Sequence, residues 1–74
     1  MKSIADLKIG EKGVIRAFTD EVMSLKLLEM GCLPGTEVCL THIAPPGDPI
    51  SIKVAGYCLA MRKSEAKTIL VNSE

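Results

Sequence analysis

The sequence predicts a mainly β domain that carries one helix. Three observations point there. Apolar and polar residues alternate through Thr36–Ile43, Ile50–Ala55 and Tyr57–Arg62, the period-two signature of half-buried strands. One stretch, Thr19–Met30, places its apolar residues at helical spacing instead. Glycine and proline gather between these stretches, at Gly31–Gly35, Ala44–Pro49 and Gly56, and cut the chain into short elements joined by tight turns. With 74 residues the chain fits one domain, residues 1–74. A domain of this size buries only about 60% of the surface that its unfolded chain exposes, so the core is thin and leaves no room for a deep cleft.

Each element has its own warrant. Ser3–Gly10 is a short lead-in with one helical turn, Ile4 and Leu7 facing inward. Gly13–Phe18 is rich in β-branched and aromatic residues and reads as the first strand. The helix spans 20–30. Val22, Leu25 and Leu28 recur at three-residue spacing, with Leu27 and Met30 beside them, as an inward stripe. Thr19 or Asp20 caps its first turn, and Asp20 and Glu21 suit the positive end of its dipole. Gly31 falls where a helix stop needs a positive φ. Pro34 and Gly35 fill the central positions of a type II turn, and Leu33 is expected as an apolar plug under the helix end.

From Thr36 the period becomes two, with Val38 and Leu40 inward and Glu37, Cys39 and Thr41 outward. Three prolines in Ala44–Pro49 cannot serve a central strand, so this is a rigid surface loop, with Pro46–Gly47 expected as a second type II turn. Ile50, Ile52 and Val54 then face inward, as do Leu59 and Met61, while Cys58, Ala60 and Arg62 face out. A turn at Ala55–Gly56 pairs Ile52 with Leu59; a turn at Gly56–Tyr57 pairs Ile52 with Met61. Both leave the same face apolar. "KSEAK" allows a helical turn capped by Ser64, and "TILVN" is a last strand. A sheet this small must curl or pack under the helix to cover its apolar face. The expected architecture is a small SH3-like five-stranded barrel with the helix inserted between the first two strands.

Composition excludes several function classes. Nine basic residues balance nine acidic ones, and a nucleic-acid binder usually carries a basic excess. Lys53, Arg62, Lys63 and Lys67 are expected to share one side as a solvated face. Phe18 and Tyr57 are the only aromatic residues, too few for a proline-peptide groove or a base-stacking platform. Asp6 and Lys8 interrupt the start of the chain, unlike a signal peptide, and no stretch approaches the roughly 18 apolar residues of a spanning helix. A soluble cytoplasmic chain without membrane insertion is expected. Three cysteines, none closely paired, fit reduced thiols.

The chemical inventory is sparse. There is one histidine, His42, and no constellation of nucleophile, base and orienter. "GCLPG" lacks the lysine and the strand–loop–helix order of a phosphate loop. Cys39, His42 and Cys58 are the candidate metal ligands, since thiolate and imidazole suit ferrous iron or zinc. Against them, Cys39 and His42 lie three apart on a strand and should face opposite sides. Cys39 and Cys58 meet only if their strands are neighbours. Solitary thiols are the plainer reading, and no cofactor is required. Cys32 among Leu28, Met30 and Leu33 reads as a small buried hydrophobe, and Met23, Met30 and Met61 as core fillers.

Three segments taken together, "LLEMGCLPGTEV", "APPGDPISIKV" and "GYCLAMRKSEAKTILV", resemble the ferrous iron transport protein A (FeoA) family. The matching positions are Leu28, Met30, Gly31, Pro34, Gly35 and Val38, then Pro45, Gly47, Asp48 and Pro49, then Gly56, Leu59, Arg62, Glu65, Ala66, Ile69 and Val71. Cys32, Pro46, Cys39 and Cys58 depart from the pattern. The resemblance implies a small cytoplasmic protein with an SH3-like barrel, an accessory or regulator of the FeoB-type membrane ferrous iron transporter and not an enzyme. It also implies kinship with the interaction module that ends iron- and manganese-dependent repressors. Two functions follow: a protein–protein adaptor for the transporter, or a metal-responsive module that itself takes iron or zinc. Partner contacts are expected at Leu33 and Pro34, at Pro45, Pro46 and Asp48, and on the helix near Ser24 and Lys26. The prolines would pre-order the loop and so lower the ordering cost of binding.

Overall fold

A computed structural model describes residues 1–73. In chain order it contains β1 (Lys2–Ser3), a 3₁₀ turn (Ile4–Asp6), β2 (Lys12–Phe18), α1 (Glu21–Glu29), β3 (Glu37–Ile43), β4 (Ile50–Val54), β5 (Tyr57–Met61), α2 (Lys63–Ala66) and β6 (Ile69–Ser73). All strands join one antiparallel sheet in the order β1-β6-β2-β3-β4-β5. The five expected strands and the inserted helix are present. The lead-in adds a sixth, two-residue strand that pairs Lys2 with Val71. So short a strand has no period of its own, and only its partner at the far end of the chain defines it.

The sheet wraps one core. Ile15 of β2, Leu40 of β3, Ile52 of β4, Met61 of β5 and Val71 of β6 fall in a single buried cluster with Ile4, Leu27 and Ala66. Inward residues of near and distant strands reach one cluster only if the sheet curls, as its two-faced alternation requires.

The β4–β5 hairpin adopts one of the two registers open to it. Val54 pairs with Tyr57 and Ile52 with Leu59, so the turn is Ala55–Gly56. Their φ values of 51° and 86° suit a turn that needs a left-handed backbone at both central residues.

Four local expectations are corrected. β3 contains a bulge between Leu40 and His42. Beyond it His42 pairs with the outward Ser51, so the extra residue carries His42 to the outer face that also bears Cys39; simple alternation fails across a bulge. In the proline loop, the Gly47 N–H donates to the Ala44 carbonyl at 2.6 Å. The turn is therefore centred on Pro45–Pro46, whose peptide bond is cis, rather than on Pro46–Gly47. Ser64 lies inside α2, and the Arg62 N–H at its start donates instead to the Glu65 carboxylate at 2.9 Å. Leu33 is 51% exposed; the plug under the helix end is Cys32, which is fully buried.

That helix end organises its surroundings. Asp20 accepts the Met23 N–H at 3.0 Å and starts α1. At the other end the Gly31 N–H donates to Leu28 and the Cys32 N–H to Leu27, a Schellman stop in which Leu27 and Cys32 are both buried. Gly31 has φ +97°. A Cβ there would also collide with the Tyr57 hydroxyl, which donates to the Met30 carbonyl and clasps the β4–β5 hairpin to the helix end. Pro34–Gly35 forms the expected type II turn, with Thr36 N–H donating to Leu33 at 3.1 Å and Gly35 at φ +88°. Gly31→Val is expected to lower the unfolding free energy by at least about 1 kcal/mol, from the left-handed backbone alone, as measured by urea denaturation.

Candidate functional site

Helix α1 offers two apolar stripes, and the choice between them creates the site. Val22, Leu25 and Leu28 step by three, which drifts about 60° per step against a 3.6-residue turn. Met23, Leu27 and Met30 step by four and three and stay on one face. The second stripe is the inner one: Leu27 is fully buried, and Met23 and Met30 pack against the core. The expected inward stripe is thereby corrected. Val22 is 82% exposed, Leu25 66%, and only Leu28 is half-buried. The turn after the helix adds the exposed Leu33 and Pro34.

The platform under this face is braced. Besides the Tyr57 clasp, the Lys26 ammonium donates to Glu65 Oε2 at 2.7 Å and ties α1 to α2. Glu65 Oε1 caps Arg62, and its carbonyl accepts the Thr68 hydroxyl at 2.7 Å. The Lys26 hydrogen bond, followed by the Arg62 N–H, holds the Glu65 carboxyl below its usual range. Asp6, bonded to the Ser3 N–H and hydroxyl, and Glu11, bonded to the Lys2 ammonium and the Lys8 N–H, are held low in the same way. Neither Glu65 nor Tyr57 has a role readable from the sequence. Each acts on a partner more than 25 residues away, at separations of 39 and 27 residues.

The other predicted residues are placed as follows. Pro45 and Pro46 are exposed at the tip of their turn. Asp48 Oδ1 accepts the Lys63 N–H at 2.8 Å and holds the start of α2, so this carboxylate has an internal duty. Cys39 is half-buried, and His42 and Cys58 are exposed. Cys39 and Cys58 do not lie on neighbouring strands. β4 runs between them, and Lys53 is the direct cross-strand partner of both. Two inter-strand spacings amount to about 9–10 Å, whereas a tetrahedral ion holds thiolates at about 2.3 Å. Among the described residues no three His, Cys, Asp or Glu side chains gather closely enough to hold a metal ion. The donor set does not fit one shared ion. Lys53 lies at the hairpin end of β4, and Arg62, Lys63 and Lys67 lie at or beside α2.

The chain is a small curled antiparallel barrel that carries a braced, partly apolar helix on its surface. Residues 2–73 match the FeoA domain, and the chain belongs to the FeoA family. A FeoA-like protein from Clostridium acetobutylicum superposes with a TM-score of 0.88 at 38% identity, covering 97% of this chain and 85% of that one. FeoA from Stenotrophomonas maltophilia, solved in complex with zinc and described as a prokaryotic SH3 domain protein and a candidate activating factor of ferrous iron transport, gives 0.83 at 25% identity, covering 97% and 91%. A manganese-dependent transcriptional repressor shares the fold alone, with a TM-score of 0.89 at 15% identity over 99% of this chain and 36% of that one. The SH3-like fold is thus the family's, and FeoA proteins are non-enzymatic accessories of ferrous iron transport. No helix among the described residues is long and apolar enough to cross a membrane.

Two outcomes follow from these contacts. Asp48→Ala is expected to cost about 1 kcal/mol of stability through the lost Lys63 hydrogen bond, as measured by thermal unfolding. Because the Glu65 carboxyl titrates lower in the folded chain than its ordinary value of 4.5, its contribution is present above that value and fades as pH falls through and below it. The melting temperature should drop from about pH 7 to about pH 3, and Glu65→Gln should lie below wild type at the upper end and approach it at the lower.

Proposed function

We propose that the protein is a single-domain cytoplasmic adaptor that docks on a FeoB-type ferrous iron transporter through the outer face of α1 and the turn at Leu33–Pro34. The observation that carries this reading is the exposure of Val22, Leu25 and Leu33 in a chain whose core is thin enough to want them. Scattered exposed apolar residues are ordinary, but these belong to one helix–turn unit. A partner that covers them gains on the order of 1.5–3 kcal/mol per side chain before the costs of association. Those costs are reduced because the unit is ordered beforehand by its cap, its Schellman stop, the Tyr57 clasp and the Lys26–Glu65 tie. Lys26 and Glu29 supply a polar rim. Pro45 and Pro46 are a separate exposed contact, and Asp48 acts through the position of α2.

The zinc complex of the Stenotrophomonas maltophilia relative supports a second reading, a module that takes a divalent ion. Here the β3 bulge places Cys39 and His42 on one face. Two donors are too few for a closed site, so a docked partner would have to complete the shell.

The test is a titration against the full-length transporter in detergent, with thiols reduced and divalent metal chelated. Saturable binding, weakened at least about tenfold by Val22→Asp with Leu25→Asp at an unchanged melting temperature, is the expected result. Binding that appears only when zinc or ferrous ion is restored, and that Cys39→Ser abolishes, would establish the second reading. Binding indifferent to the α1 variants would overturn the assignment of the face.

A further inference from the structure

On the outer face of the sheet, four side chains form a row across four strands. Lys12 of β2 pairs with Cys39 of β3, Cys39 with Lys53 of β4, and Lys53 with Cys58 of β5. Directly paired residues share a face with their Cβ atoms about 4.5–5.5 Å apart. Cys39 therefore has a lysine on each side, while Cys58, on the edge strand, has one. Cys39 also lines a surface recess of about 480 Å³ with Lys12, Lys53, Thr36 and Glu37. Among the described residues, ion pairs occupy Lys2 with Glu11 and Lys26 with Glu65; Lys12 and Lys53 have none. The recess thus combines a half-buried thiol, two lysines outside any ion pair, the single carboxylate of Glu37, which leaves the lining net cationic, and space for a small molecule. The third cysteine, Cys32, is sealed in the core.

We infer that this recess is a thiol-exchange site for small anionic disulfides, in which Lys12 and Lys53 receive the two anionic arms and Cys39 is the nucleophile. In the step the Cys39 thiolate attacks one sulfur of the bound disulfide. A new S–S bond forms to Cys39, and the original S–S bond breaks. The other half departs as a thiolate with the electron pair. Cys39 is oxidised to a mixed disulfide, one half of the reagent is reduced, and no further oxidant is needed. The two lysines do not select for the sulfur chemistry. They select for charge, by concentrating anions at the thiol and holding the departing anionic thiolate. Neither the core nor the docking face uses Cys39 or Cys58.

The site is tested in the full chain with Cys58→Ser, which leaves Cys39 as the accessible thiol. Exchange rates are measured with dithiobis(nitrobenzoate), a dianion, and with dithiodipyridine, which is neutral, and mass spectrometry locates the adduct. The expected ratio of anionic to neutral rate is roughly tenfold above that of a small neutral thiol. It should collapse toward the small-thiol ratio in Lys12→Gln/Lys53→Gln and as salt is raised in the unsubstituted protein, because exposed charges are screened within about 10 Å at 0.1 M. Both lysines point away from the core, and a melting curve verifies that the double variant folds. A ratio equal to that of the small thiol, a ratio indifferent to salt, or a Cys39 unlabelled by either reagent would overturn the inference.

Discussion

The exposed face of α1, and the hairpin clasped to its end, depend on how that helix is brought to a halt. At Gly31 the backbone turns left-handed, Cys32 drops into the core, and the Tyr57 hydroxyl closes on the last free carbonyl of the helix. They meet at position 31, where a side chain would strain the left-handed backbone and displace the Tyr57 hydroxyl. A single residue without a Cβ therefore couples the helix, the β4–β5 hairpin and the start of β3. A helix of only 9 residues would be marginal by itself. Its rigidity comes from tertiary ties rather than from propensity.

Those ties also decide which way the helix faces. The four-then-three stripe of Met23, Leu27 and Met30 meets the barrel, and the core is filled by it. Val22 and Leu25 are left over. The helix is thus apolar on two sides while the barrel has room for one, and the surplus is displayed on a platform braced from below by Glu65. That surplus is the surface on which the proposed docking rests.

Much of this was legible in the chain. Strict alternation located β3, β4 and β5, and the hairpin turn narrowed the register to two choices. Gly31, Pro34 and Gly35 were readable because each answers a backbone requirement that few residues meet. What escaped is what alternation and local spacing cannot carry. The β3 bulge inserts one residue and moves His42 to the other face without any change of composition. The two stripes of α1 differ by a small angular drift, which only the shape of the opposing core converts into in and out. Asp48, Tyr57 and Glu65 work on residues remote in sequence, so their duties have no local signature. For the metal-ligand candidates, the sequence offered Cys39, His42 and Cys58 as donors but could not show that β4 and its Lys53 stand between Cys39 and Cys58.

The pairing of β1 with β6 has a further meaning. Lys2 lies against Val71, so the strand by which the chain enters the barrel is bonded to the strand by which it leaves. Entrance and exit sit side by side on one edge of the sheet. A unit built this way can be spliced into or appended to a longer polypeptide through one small doorway, without threading a linker across its working surface. Its geometry is that of a transferable part, and the same fold makes up 36% of a manganese-dependent repressor chain.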